Sequence, residues 1–254
     1  MPKMIVLDLD GTLMDDNKNI SSYTISILEK CKENGIKITL ATARSENAAK
    51  RIINMVNPDF LILNDGALIL NKSYEILHRK LLSIKTTDGI LTECKNKLNI
   101  NDINVETEID FYSSFKGFYH SDWDYGIYYD FTKPLSQKSY KISVEIFDEE
   151  TALDISKKFN ECKLIYSFGE NWYRIIHKEA SKMAAIKIIS NLQKIQISEI
   201  VSFGDDFNDI EMIKECGIGV AMENGIKEVK NIAKYICKSN NEDGVGKWIE
   251  ENIL

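Results

Sequence analysis

Two aspartates close an apolar run in IVLDLDGTL, residues 5–13. Ile5, Val6, Leu7 and Leu9 read as a buried strand, and side-chain alternation along a strand would turn Asp8 and Asp10 toward one small volume. Like charges there repel, and burial raises the cost, so a shared proton or a cation must compensate. Gly11 and Thr12 then turn the chain. The pair thus lies at the carboxyl end of a strand, the edge where open α/β sheets bind ligands. Three further spots place polar groups just past a strand or at a helix start. They are Thr42 in ITLATAR, Lys182 in EASKMAA, and Asp205, Asp206, Asn208 and Asp209 in VSFGDDFND.

These side chains suit phosphoryl transfer. Hard carboxylate oxygens from Asp8 and Asp205 favour Mg²⁺, which takes a few carboxylates, waters and a substrate phosphate. Lys182 supplies a cation, and Thr42 and Asn208 supply hydrogen bonds for phosphoryl oxygens. One carboxylate can be the nucleophile of an aspartyl-phosphate. The other can protonate the leaving oxygen and later take a proton from water.

The elements that must position these groups alternate at both ends of the chain. Residues 4–9 read as a strand, Ser21 or Ser22 caps a helix stopped by Gly35, and 36–41 is a second strand. A helix over 45–56 ends before Pro58, and 60–63 is a third strand. From Ser83 to His177 the pattern changes to clustered strands near 104–108, 125–131 and 140–147. A helix at 149–159 and a hairpin turning at Gly169-Glu170-Asn171 follow. The strand–helix order resumes with a helix capped by Ser181, a strand over 199–203, a helix over 207–215 and a strand over 218–221. This predicts an α/β protein: a parallel-sheet, Rossmann-like core (1–82 and 179–254) interrupted by an inserted α+β domain (83–178). Parallel strand ends share one edge, so groups far apart in sequence can meet there.

Composition narrows the function. The chain has 254 residues, 44% hydrophobic, and a net charge of −7. No basic tract or basic–aromatic stripe appears, which disfavours a nucleic-acid partner. Cys31, Cys94, Cys162, Cys216 and Cys237 are scattered and form no CxxC, as expected of reduced cytosolic thiols. His78, His120 and His177 cluster with no cysteine pair, so zinc is not expected. MPKMIVLDLD does not read as a signal peptide, and no apolar run reaches the roughly 18 residues of a membrane span. A soluble, cytoplasmic protein without membrane partners is expected.

DLDGTL, a Thr after the second strand, a Lys opening a late helix and GDDFND resemble the four motifs of the haloacid dehalogenase superfamily. GIGVAMENGIKEVKNIAKYIC followed by NEDGVGKWIE resembles its Cof-type (subfamily IIB) phosphatases, whose C2-type cap is inserted between the second and third motifs. The resemblance implies Asp8 as nucleophile and Asp10 as general acid/base, with the Asp10 backbone carbonyl on Mg²⁺. It implies Thr42, Asn208 and the Leu9 backbone N–H on phosphate, and Lys182 on both the nucleophile and the phosphoryl group. Asp205 would ligate Mg²⁺, and Asp209 would ligate it or orient the ligands. The implied substrate is a small phosphorylated metabolite such as a sugar phosphate, its leaving group read by the cap. The family commonly has ATGR, NGA and GNA where this chain has ATAR (41–44), NDGA (64–67) and ENG (223–225), and Asp65 adds an acid. Arg44 reads equally as a substrate contact or as a salt bridge near a helix start. The cap aromatics Trp123, Tyr125, Tyr128, Tyr129 and Trp172 read as packing. A phosphomutase of the same superfamily, a phospho-aspartate receiver and a non-catalytic binding protein are the rivals. They are disfavoured respectively by scattered cap cations, by the inserted domain, and by the intact Asp8 and Asp10.

Overall fold

The computed structural model describes residues 2–115, 126–166 and 171–254. Trp123, Tyr125, His120, Gly169 and Glu170 lie outside them. The chain divides into two compact units, Met1–His78 with Ser181–Leu254, and Arg79–Ala180. In chain order the elements are β1 (Met4–Leu7), α1 (Ser22–Glu33), β2 (Lys37–Ala41), α2 (Glu46–Val56), β3 (Phe60–Leu63), β4 (Leu68–Asn71) and β5 (Ile76–Arg79). There follow α3 (Ile84–Thr92), β6 (Ile103–Thr107), β7 (Phe111–Ser113), β8 (Ile127–Tyr128), β9 (Ser139–Glu145), α4 (Glu149–Lys158), β10 (Cys162–Tyr166) and β11 (Trp172–His177). The chain finishes with α5 (Lys182–Gln193), β12 (Ile200–Gly204), α6 (Ile210–Glu215), β13 (Ile218–Met222), α7 (Lys227–Ile232), β14 (Tyr235–Cys237) and α8 (Gly244–Asn252).

The first unit is built on one sheet of order β14-β13-β12-β1-β2-β3-β4-β5. Its strands run parallel from β14 to β3, and β4 returns antiparallel to β3. The central strand β1 is apolar throughout and fully buried, because helices cover both faces of a parallel sheet. Met4 and Val6 join a core with Met183, Ile186 and Ile189 of α5, Met212 and Ile213 of α6 and Val229 of α7. Elsewhere Phe203 meets Trp248 of α8 edge-on, centroids 5.4 Å apart. Serines set the start of three helices. Ser21, Ser45 and Ser181 each accept the backbone N–H three residues on, from Thr24, Ala48 and Ala184. The cap at Ser181 makes Lys182 the first residue of α5.

The second unit holds a sheet of order β10-β11-β9-β6-β7-β8, antiparallel except between β7 and β8. Ile90 and Leu91 of α3 and Ile155 of α4 pack with Val105, Ile142, Val144 and Ile175 from its strands. Helix α3 is absent from the sequence expectation. Ile84, three threonines and Gly89 give it poor intrinsic propensity, and it forms because Ser83 caps it and Thr87, Ile90 and Leu91 are buried. The strand expected over 125–131 is Ile127–Tyr128 among the described residues. Tyr129 packs edge-on against Tyr112 and Phe131, as packing predicts, whereas Tyr128 is exposed.

Among the described residues no helix is long and apolar enough to cross a membrane. All five cysteines are buried and free. Burial pushes the thiols of Cys31, Cys162 and Cys216 up to about 11 and those of Cys94 and Cys237 to about 12. Since the thiolate is the reactive form, a thiol reagent such as DTNB should react slowly with the native protein and rapidly with five thiols once it is denatured. A fast native thiol would mark a cysteine exposed in solution.

Candidate active site

The strand that carries the acid pair is shorter than the sequence suggests. β1 ends at Leu7, and Asp8 continues its ladder only through its N–H, which donates to Phe203 O at 3.2 Å. The chain then turns, with Thr12 and Met14 N–H donating to Leu9 O at 3.4 and 2.9 Å. Strand alternation therefore does not govern Asp10, and the two carboxylates go to different partners.

Asp8 turns inward. Lys182, 1% exposed, donates to Asp8 Oδ1 at 2.5 Å and to Asp209 Oδ1 at 2.6 Å. The other oxygen of Asp209 accepts the N–H groups of Asp205 and Asp206 at 2.9 and 3.2 Å. Asp205 Oδ1 accepts the Thr12 hydroxyl at 2.7 Å. Carboxylate oxygens of Asp8, Asp205 and Asp209 all lie within 4.8 Å of one another. Gly11, at φ 78°, lets this happen: a Cβ there would come within 2.3 Å of Asp205 Oδ2.

Charge decides the state of these groups. Burial, reinforced by Asp209 and Asp205, holds Asp8 well above the usual carboxylate range despite Lys182. Burial and the Asp209 charge push Asp205 up to about 7. Burial works against the Lys182 charge, but Asp209 and Asp8 outweigh it and raise its pKa. Three close carboxylates thus face one buried ammonium. The cluster has excess negative charge and hard oxygen donors, which is what a divalent cation requires. Asp8 and Asp205 keep donor capacity for such an ion. Asp209 spends one oxygen on Lys182 and the other on backbone N–H groups, the pattern of a residue that orients the ligands.

Asp10 turns outward, its side chain 40% exposed. Arg44 grips it with two bonds, Nε to Oδ2 and Nη2 to Oδ1, both 2.7 Å, and Lys18 Nζ adds a third at 2.9 Å. Burial alone would raise Asp10, but the hydrogen bonds and charge of Arg44, then of Lys18, bring it below its usual value. Arg44 is accordingly a salt-bridge partner in this structure. Thr42 is buried, and its hydroxyl accepts the Arg44 N–H at 3.1 Å, which leaves its own O–H to donate. Leu9 is buried beside Asp8. Asn208 is turned to Asp65, Nδ2 to Oδ1 at 2.8 Å. The structure therefore brings Asp8, Lys182, Asp205 and Asp209 into direct or near contact, and gives Asp10, Thr42 and Asn208 separate partners. Sequence reasoning passed over Thr12 as a ligand of Asp205 and left Asp65 without a role. Thr12 is visible only as a turn residue, and the one signal for Asp65 is an acid where the family has none.

Comparison with known proteins finds likenesses along the whole chain. Residues 5–249 match the model of the haloacid dehalogenase-like hydrolase family. YxeH of Bacillus subtilis, which carries a provisional phosphatase name, is 30% identical over 100% of this chain and 99% of its own. YcsE of Bacillus subtilis, a 5-amino-6-(5-phospho-D-ribitylamino)uracil phosphatase, is 27% identical over 99% of this chain and 96% of its own. The solved structure of a subclass IIB sugar phosphatase superposes with a TM-score of 0.84 at 23% identity, covering 98% of both chains.

The raised Asp205 gives a pH test. Between its usual 3.8 and about 7 the folded state keeps a proton the unfolded chain has lost, so the metal-free fold loses stability as pH rises through that window. A cation on the carboxylates offsets the loss at the upper end. In thermal melts Mg²⁺ should raise Tm more at about pH 8 than at about pH 5.5. Equal shifts at the two pH values would rule out the aspartates as the cation site.

Proposed function

Because the chain belongs to the haloacid dehalogenase-like hydrolase family, we propose that it is a Mg²⁺-dependent phosphatase acting on small phosphorylated metabolites through an aspartyl-phosphate on Asp8. The observation that carries this reading is the buried Asp8–Lys182–Asp209 arrangement with the Asp205 carboxylate beside it. Asp8 and Asp205, with the Asp10 backbone carbonyl, would hold Mg²⁺. When bound, Mg²⁺ offsets the negative charge that the carboxylates share with the phosphoryl oxygens.

The chain's own residues do the rest. Lys182 holds Asp8 Oδ1, so the Oδ2 oxygen is the one turned to nucleophilic use. It attacks phosphorus, forming the aspartyl-phosphate as the bond to the leaving oxygen breaks. Protonated Asp10 delivers its proton to that oxygen. As a carboxylate it then takes a proton from the water that cleaves the intermediate, which releases phosphate and restores Asp8. Arg44 and Lys18 hold Asp10 in the ionised form needed for the second half. The Leu9 N–H, the Thr42 hydroxyl and the Asn208 amide are the donors for the phosphoryl oxygens, with Lys182 as the fixed cation.

Sugar and polyol phosphates are the favoured substrates. The phosphoribityl compound named for YcsE and the sugar phosphates named for the subclass IIB enzyme are both monoesters of this kind. A panel of such monoesters, assayed for phosphate release, should show turnover with Mg²⁺ and none with EDTA. Asp8→Asn should lower kcat by on the order of a thousandfold or more. Undiminished release from that variant, or in EDTA, would overturn the mechanism.

A further inference from the structure

Asn64, Asp65 and Gly66 form a short turn after β3 in which three successive φ angles are positive, 50°, 55° and 95°. Two adjacent non-glycine residues in the left-handed region are uncommon and persist only where the surroundings hold them. Here the surroundings do so on two sides. Asn64 N–H donates to Arg44 O at 3.0 Å and Asp65 N–H to Thr42 O at 3.1 Å. On the other side Gly66 presses against the start of α5, where a Cβ would come within 2.2 Å of Ser181 O. The turn is buried, and it is wedged between the loop that carries Thr42 and the helix that begins with Lys182.

From this fixed position the Asp65 carboxylate accepts Asn208 Nδ2–H at 2.8 Å. In its ionised form the Asp65 carboxylate would only accept hydrogen bonds, and so would select which end of the Asn208 amide faces it. The NH₂ group must point to Asp65, and the carbonyl oxygen must point away. An unanchored asparagine would sample the flipped state, which swaps the donor and acceptor ends and can turn the carbonyl oxygen toward a phosphoryl anion. We propose that Asp65 is a positioning residue: it locks the Asn208 amide so that the second N–H of Nδ2 stays directed at a phosphoryl oxygen of the substrate. This rests on the phosphatase reading and on Asn208 as a phosphate contact. It makes the acid that distinguishes this chain's NDGA segment part of the site.

The experiment compares wild type with Asp65→Gly, Asp65→Asn, Asn208→Ala and the double variant Asp65→Gly/Asn208→Ala. Each is assayed for kcat and KM on a phosphomonoester and for competitive inhibition by inorganic phosphate. Glycine removes the carboxylate yet accepts the left-handed backbone. Asparagine keeps the size but offers both a donor and an acceptor, so it no longer selects one end of the Asn208 amide. Asp65→Gly should lower kcat/KM on the order of ten- to a hundredfold and weaken inhibition by phosphate, and Asp65→Asn, which can pair with either end of the Asn208 amide, should lower it on the order of three- to tenfold. The double variant should be no worse than Asn208→Ala alone, since Asp65 acts only through Asn208. A measurement on the unaltered protein supports these: the ¹⁵N–¹H signals of the Asn208 side-chain amide, assigned by their loss in Asn208→Ala, should shift when inorganic phosphate is added. Additive losses in the double variant, a wild-type kcat/KM in Asp65→Gly, or amide signals unmoved by phosphate would overturn the positioning role alone. A wild-type protein that releases no phosphate from any monoester would overturn the phosphatase reading, and the positioning role with it.

Discussion

Three carboxylates around one buried ammonium is the constraint on which the rest of the structure depends. Asp8, Asp205 and Asp209 come from two strand ends some two hundred residues apart, and Lys182 from the first position of a helix. Each charge loses solvation in that position, and a pair repays the cost only where geometry and additional hydrogen bonds are good. They are good here. Lys182 sits between Asp8 and Asp209, and Asp209 uses its remaining oxygen to cap the loop that carries Asp205. One lysine still cannot balance three acids. The residual charge appears as the raised values of Asp8 and Asp205, and it makes the three carboxylates a group that could hold a metal ion.

The fold supplies the rigidity this arrangement needs. β1 lies between β2 and β12 in the middle of the sheet and is buried on both faces, so the start of the Asp8 loop cannot drift. Pairing of Leu7 with Phe203 places the ends of β1 and β12 side by side, and the loops that leave them carry Asp8 and Asp205. The apolar face of α5 packs under the same sheet through Met183, Ile186 and Ile189, which anchors the helix whose first residue is Lys182. Packing energy spent far from the chemistry thus fixes positions at the site, as strongly perturbed acids require.

What the sequence revealed and what it concealed follow from the range of the forces involved. Apolar runs bounded by Ser caps and glycine or proline stops are local signals, so most strands and helices of the first unit lie within one or two residues of expectation. α3 was concealed because its threonines and Gly89 speak against a helix, while the buried contacts that form it are tertiary. The four polar spots were legible because their residue types and order are local too. Their pairings were not. Nothing in DLDGTL says that the strand stops at Leu7 and that Asp10 meets Arg44 across 34 positions. Nor does GDDFND show that Asn208 will meet Asp65 across 143.

The two aspartates of the DLD segment show how little separation in sequence is needed for opposite electrostatic fates. Burial raises Asp8, the nucleophile of the proposed reaction, which attacks as an anion. Arg44 and Lys18 lower Asp10, the general acid of the proposed reaction, which carries a proton to the leaving group. Without ligands each is biased against its first task in the proposed reaction. The charges of the reactants supply the missing terms. A cation beside Asp8 favours its ionised form, and a phosphoryl anion drawn to the Asp10 side favours the protonated form while competing for the Arg44 charge. In the proposed reaction, cation and phosphate thus each work against one of these two biases. On that reading, ionisation of the nucleophile and protonation of the acid would both follow occupancy by the reactants.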